Sequence, residues 1–125
     1  MFGNTGATDV TNLSCGTISS TNGAGVYTHA GQLTVDNQAG ASISAGSHAT
    51  RSVGAATITN AGALSSTNAD AGWSAGALNL TNSGTITGGY AGISATAGGT
   101  IVNSGDIEGS SSASGYSYAV QFTCA

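Results

Sequence analysis

The chain predicts an all-β fold, a parallel β-solenoid of about five coils of 21–25 residues plus the first strand of a sixth. Three observations carry that expectation. A phrase of alternating apolar and small polar residues closed by Asn recurs from end to end: DVTN at 9–12, LTVDN at 33–37, ATITN at 56–60, LNLTN at 78–82 and TIVN at 100–103. The apolar residues of that phrase, Val10, Val35, Ile58, Leu80 and Ile101, are followed by Phe122, and their spacings shorten from 25 to 21 residues. A period just above 20 marks a repeat that buries its apolar face only when a neighbour stacks on it. Glycine is dense and no 3.6-residue periodicity runs through any window, which excludes helix.

Taken in order, residues 1–8 read as an N-terminal arm or cap and 9–125 as one solenoid domain. In the first strand of each coil, period-2 alternation points Leu33 and Val35, or Leu78 and Leu80, inward. The side chains of Thr34, Thr57, Asn79, Thr100 and Gln121 then point outward. Asn12, Asn37, Asn60, Asn82 and Asn103 follow at the first corner, one per coil, as an expected amide ladder along the axis. Gly16, Gly40, Gly62, Gly84 and Gly105 come next, where a tight corner calls for positive φ. A second strand turns Ile18, Ile43, Leu64, Ile86 and Ile107 inward. Ala-Gly-Val, Ala-Gly-Trp and Ala-Gly-Ile mark a third, aligned on Val26, Trp73 and Ile93, with Val53 as the counterpart in the second coil. The GSSSASG segment at 109–115 reads as a flexible loop inserted before the last strand.

Composition narrows the function. Arg51 is the single cation against five carboxylates, a net charge of −4, so the chain has nothing with which to neutralise phosphates; nucleic acid is excluded as a partner. No apolar run approaches the ~20 residues of a membrane helix, so no membrane insertion is expected. Residues 1–20 lack the basic-then-apolar order of a signal peptide. Together with the absence of Lys, the abundance of Ser and Thr and the two cysteines, this reads as a mature extracellular or cell-surface chain behind an added Met1.

The run Asn82–Ile93, NSGTITGG followed by YAGI, resembles the β-helical repeats of bacterial autotransporter passenger domains and related filamentous adhesins. The resemblance covers about residues 9–123 and is closest over 56–109. It implies a right-handed solenoid on a cell surface, a stalk on which activities are mounted rather than an activity in itself. The chain is far shorter than such a passenger, which implies an excised fragment or a small subunit that gains length by assembly.

Residue by residue, no catalytic, cofactor or metal site is expected. His29 and His48 lie in different coils without a third ligand and read as surface loop residues. Asp106 and Glu108 flank inward Ile107 and form a solvated patch, with no calcium-repeat pattern around them. Trp73 and Tyr27, Tyr90, Tyr116 and Tyr118 either fill corners or offer a platform to surface glycans. The expected function is a non-enzymatic structural protein of the cell surface, a self-assembling filament subunit or an adhesin stalk segment. Its assembly partner is a copy of itself, joined head to tail with Phe122 against Val10 near Asn12. Cys15 and Cys124 are candidates for an intersubunit disulfide, since five coil steps of ~4.8 Å hold them too far apart to bond within one rod. The alternative is an ice-binding protein that presents Thr34, Thr57, Thr59, Thr81 and Thr100 in two columns on one face.

Overall fold

A computed structural model of the chain describes residues 2–3, 6–110 and 117–123. They form a β-solenoid of three parallel sheets. The first sheet stacks β2 (Thr8–Asn12), β5 (Leu33–Asn37), β8 (Ala56–Asn60), β11 (Leu78–Asn82) and β14 (Gly99–Asn103). The second stacks β3 (Thr17–Ser20), β6 (Ser42–Ala45), β9 (Ala63–Ser66), β12 (Thr85–Gly88) and β15 (Asp106–Gly109). The third has one strand more: β1 (Phe2–Gly3), β4 (Val26–Thr28), β7 (Thr50–Ser52), β10 (Gly72–Ser74), β13 (Ala91–Ala95) and β16 (Tyr118–Phe122). The path from first to second to third sheet is one coil, and it is traversed five times.

The strands form because their alternation is matched from coil to coil. Val10, Val35, Ile58, Leu80 and Ile101 share one register position, and Ile18, Ile43, Leu64, Ile86 and Ile107 share another. These two inward columns, with Leu33, Leu78, Val26 and Ile93, make a single continuous core. The residues between them are small or polar and face outward, so one register slip would turn every apolar side chain out. Main-chain bonding continues through the corners, where Ser83 N and Gly84 N both donate to Asn60 O, at 2.8 and 3.1 Å.

The last strand departs from expectation. Phe122 was aligned on Val10 and Ile101, as the opening of a sixth coil. Instead β16 pairs with β13, Val120 opposite Ile93 and Phe122 opposite Ala95, so it closes the fifth coil in the third sheet. The cause is the inserted segment before it, which shifts the phase: eight residues separate β15 from β16, where two separate β12 from β13. Gln121 leaves the Thr34 column for the same reason. The loop expected at 109–115 falls mostly outside the described residues; Gly109 belongs to β15, and Ser110 N donates to Gly88 O at 2.8 Å. In the N-terminal arm, Phe2–Gly3 pairs with Tyr27–Thr28.

The third sheet also corrects the Ala-Gly-x alignment. Gly72, not Trp73, shares the inward position with Val26, Thr50 and Ile93. A Cβ at Gly72 would lie 2.6 Å from Ile93 Cδ1, so the glycine makes room for the isoleucine of the next coil and Trp73 turns outward. Thr50 takes the place assigned to Val53, which is 40% exposed. The glycine corners differ in cause as well. Gly62, Gly84 and Gly105 have no positive φ; a side chain on Gly84 would instead run into the Gly62 carbonyl oxygen of the coil beneath. Gly40, with φ of 80°, stands opposite Cys15 rather than Gly62 in the corner sequence, and Cys15 itself adopts φ of 68°.

Candidate functional site

The axial asparagine column is the most ordered polar feature of the molecule. Asn37, Asn60 and Asn82 are almost wholly buried at 0–1% exposure, which obliges every amide to find partners. Asn12 Nδ2 donates to Asn37 Oδ1 at 2.9 Å, and the Asn37→Asn60, Asn60→Asn82 and Asn82→Asn103 steps are each 2.8 Å. The second N–H of each amide goes to main chain: Asn60 Nδ2 reaches Thr85 O at 3.1 Å and Gly62 O at 3.2 Å. Each asparagine thus ties its own corner to the coil above it.

That ladder has a direction. Asn12 Oδ1 accepts from no donor among the described residues, whereas exposed Asn103 directs its Nδ2 only to the Gly105 carbonyl in its own corner, at 2.9 Å. One end of the rod therefore offers an acceptor and the other a donor. At the donor end the inward columns lose their cover: Ile101 and Ile107 are half-buried, and Val120 and Phe122 are each 38% exposed. At the acceptor end Val10 is 5% exposed, and β1 projects one strand beyond β2 and β3.

These positions redraw the expected assembly contact. Val10 and Asn12 lie in the first sheet and Phe122 in the third, so stacking one copy on another does not bring Phe122 onto Val10. The strands that face each other across such a junction are β14 against β2 and β15 against β3, which sets Ile101 over Val10. Cys15 is exposed with a free thiol, and Cys124 lies outside the described residues.

The threonine face lies on the first sheet. Thr34, Thr57 and Thr100 share a column with Asp9 and Asn79; Thr59 and Thr81 share the adjacent one with Thr11, Asp36 and Val102. Two threonines stand side by side in one coil only, at Thr57 and Thr59, and Thr57 Oγ1 already accepts from Gln32 Nε2 at 3.3 Å. Asp106 and Glu108 border a shallow groove with Thr85 and Thr87, at the end where Ile107 is partly uncovered.

One cluster escaped sequence reasoning. On the outer surface of the third sheet Tyr27, Arg51 and Trp73 stand in register on adjacent strands, and the Arg51 guanidinium lies 5.1 Å from the Tyr27 ring centre and 5.2 Å from that of Trp73. Tyr27 Oη is 2.9 Å from His29 Nδ1. The His48 ring lies 6.2 Å from Trp73, and its Nδ1 meets Ser47 Oγ at 2.8 Å. Burial, and then the Arg51 charge, lower the His48 pKa to about 4, so the imidazole is neutral around pH 7. The signal was present in spacings of 24 and 22 residues, one coil each, but the Ala-Gly-x alignment hid it.

The chain matches no family model, no curated protein and no solved structure.

Proposed function

We propose that this chain is a non-enzymatic structural protein of the cell surface, a β-solenoid rod that serves as a filament subunit or an adhesin stalk segment. The observation that supports this reading is the polar asparagine ladder, with a spare N–H at exposed Asn103 and, at buried Asn12, an Oδ1 that no described donor occupies. A side-chain ladder of this kind is extended when another coil is laid on its end in the same direction, once β1 has left the edge of the third sheet. Such a junction also covers Ile101 and Ile107, at ~25 cal/mol per Å² of apolar surface removed from water. A head-to-tail contact does not close on itself, so it yields a fibre or a longer stalk rather than a dimer. Surface glycans fit as the extracellular ligand class, and a copy of the chain as the partner.

Ice binding is the second reading, favoured by the rung Thr57–Thr59 with Thr34 and Thr81 beside it. Asp9, Asp36, Asn79 and Val102 interrupt both columns, which places it behind the structural reading. Negative-stain electron microscopy combined with thermal hysteresis separates the two. Filaments one solenoid wide support the subunit form, and dispersed short rods without hysteresis support the stalk form. Dispersed monomers that depress the freezing point overturn both in favour of ice binding.

A further inference from the structure

The outward face of the third sheet differs from its neighbours in charge. Asp9 and Asp36 lie on the outer face of the first sheet, and Asp106 and Glu108 on that of the second. Asp70 is buried, accepting from Ala91 N at 3.2 Å and bonded to Ser94, the neighbour of Trp73 on the next strand. The third sheet carries Arg51 alone, the single positive charge of the chain. The rings of Tyr27 and Trp73 flank the guanidinium one strand away on either side, close to the ~4.8 Å spacing of paired strands. Both contacts are cation–π attractions between the guanidinium and a ring. Its N–H donors lie at the edge, and among the described residues no carboxylate or carbonyl accepts from them. A half-buried guanidinium held between two rings with its donors open suits a planar two-oxygen acceptor.

We propose that the Tyr27–Arg51–Trp73 column binds a carboxylated saccharide, a uronic acid unit whose carboxylate takes the open edge of Arg51 while its ring lies against the aromatic walls. Two features select this class. The carboxylate matches the guanidinium fork in geometry and charge, on the one face that does not repel an anion. Tryptophan and tyrosine present an apolar ring face with a polar edge, which suits a pyranose, whose own faces are apolar and whose rim carries hydroxyls. One coil further the column reaches Ser94, buried and bonded to Asp70, so the site takes a single uronic acid unit. The site is independent of whether the rod assembles.

Trp73 is the only tryptophan, so its fluorescence reports on this column alone. The test titrates the full chain with trigalacturonate, with maltotriose as the uncharged trisaccharide and with sodium sulfate at matched ionic strength. The expected result is a saturable change in Trp73 emission with trigalacturonate only, weakened about tenfold or more in Arg51→Gln. Arg51→Lys keeps the charge and loses the fork, so it should fall between the two and serves as the readout if Arg51→Gln fails to fold. Absence of a saturable response in both fluorescence and calorimetry overturns the proposal. So does an equal response to maltotriose, an equal response to sulfate, or an unchanged affinity in folded Arg51 variants.

Discussion

Asn60 Nδ2 lies 2.8 Å from Asn82 Oδ1, 22 residues away in sequence and one coil away in space. Removing Asn60 strands groups on both sides: Asn37 Nδ2 loses its 2.8 Å acceptor, and Asn82 Oδ1 loses its donor, in surroundings closed to water. Asn60→Ala should therefore cost about 3 kcal/mol, an unsatisfied-group penalty on each side in addition to the lost bonds. Exposed Asn103 ends the ladder, and Asn103→Ala should cost under about 1 kcal/mol. Equal losses for the two variants in urea denaturation would mean that the ladder does not act as a connected unit.

The corner at Gly84 tests the steric argument. Gly84→Val drives a branched side chain into the Gly62 carbonyl and should lower stability by about 3 kcal/mol. Asp106→Ala, on an exposed face, should change it by less than about 0.5 kcal/mol. Thermal melting of both variants gives the comparison, and a larger loss for Asp106→Ala would contradict the coil-to-coil packing at that corner.

Thr50 is fully buried, with an Oγ1 that has no hydrogen-bond partner, in a column it shares with Val26 and Ile93. Thr50→Val keeps the shape and removes the orphaned hydroxyl, so stability should rise by about 1 kcal/mol. A fall of that size on chemical denaturation would show that the hydroxyl is paired in solution.

Cys15 holds φ of 68° in an exposed corner where the next coil places Gly40. A non-glycine residue in that region costs roughly 1–3 kcal/mol, partly offset because glycine loses more chain entropy on folding. Cys15→Gly should thus melt slightly higher than the parent, whereas Cys15→Val, β-branched at the same φ, should melt lower. The reverse order would place the corner in another conformation.

Two titrating groups, buried Asp70 and half-buried His48, act on stability with opposite signs. Burial raises the Asp70 pKa more than its bonds to Ala91 and Ser94 lower it. The native state then holds a proton that the unfolded chain releases, so this contribution is full below the unfolded pKa and is lost as pH rises through the raised value. Asp70→Asn should raise the melting temperature at pH 7 and leave it little changed at pH 3. His48 behaves in reverse: with its pKa lowered to about 4, its contribution is full above about 6.5 and is lost as pH falls toward 4. Arg51→Gln removes the secondary cause, so the His48 midpoint followed by NMR should rise part of the way, burial still holding it below 6.5. An unmoved midpoint would exclude the charge from the shift.

How much of this was legible depends on how each sheet repeats. In the first sheet every coil sets an apolar residue two before an Asn, and in the second an isoleucine or leucine follows that Asn by six or four, so Val35, Ile43 and Asn37 declare their places without coordinates. Third-sheet strands are as short as three residues and admit threonine, glycine or isoleucine at one inward position, because Gly72 yields volume to Ile93. Alternation there carries no phase, and Trp73 was set one residue out. β16 was misplaced for a related reason: Tyr-Ala-Val-Gln-Phe alternates well enough for any of the sheets, and only the inserted segment before it decides which. The Arg51 column is a meeting of three coils in that sheet, so it stayed hidden with it.

The surplus strand β1 turns one end of the rod into a terrace with a step. Crystals grow at such steps, but here the step faces the wrong way: a copy seated on β1 leaves a gap one strand wide, ~4.8 Å, across the other two sheets. In any assembly of these rods, Phe2–Gly3 must leave Tyr27–Thr28 before all three sheets can join at once. Release of so short a strand is a fast pre-equilibrium, so it would weaken end-to-end association without delaying it, and removing the strand would strengthen that association.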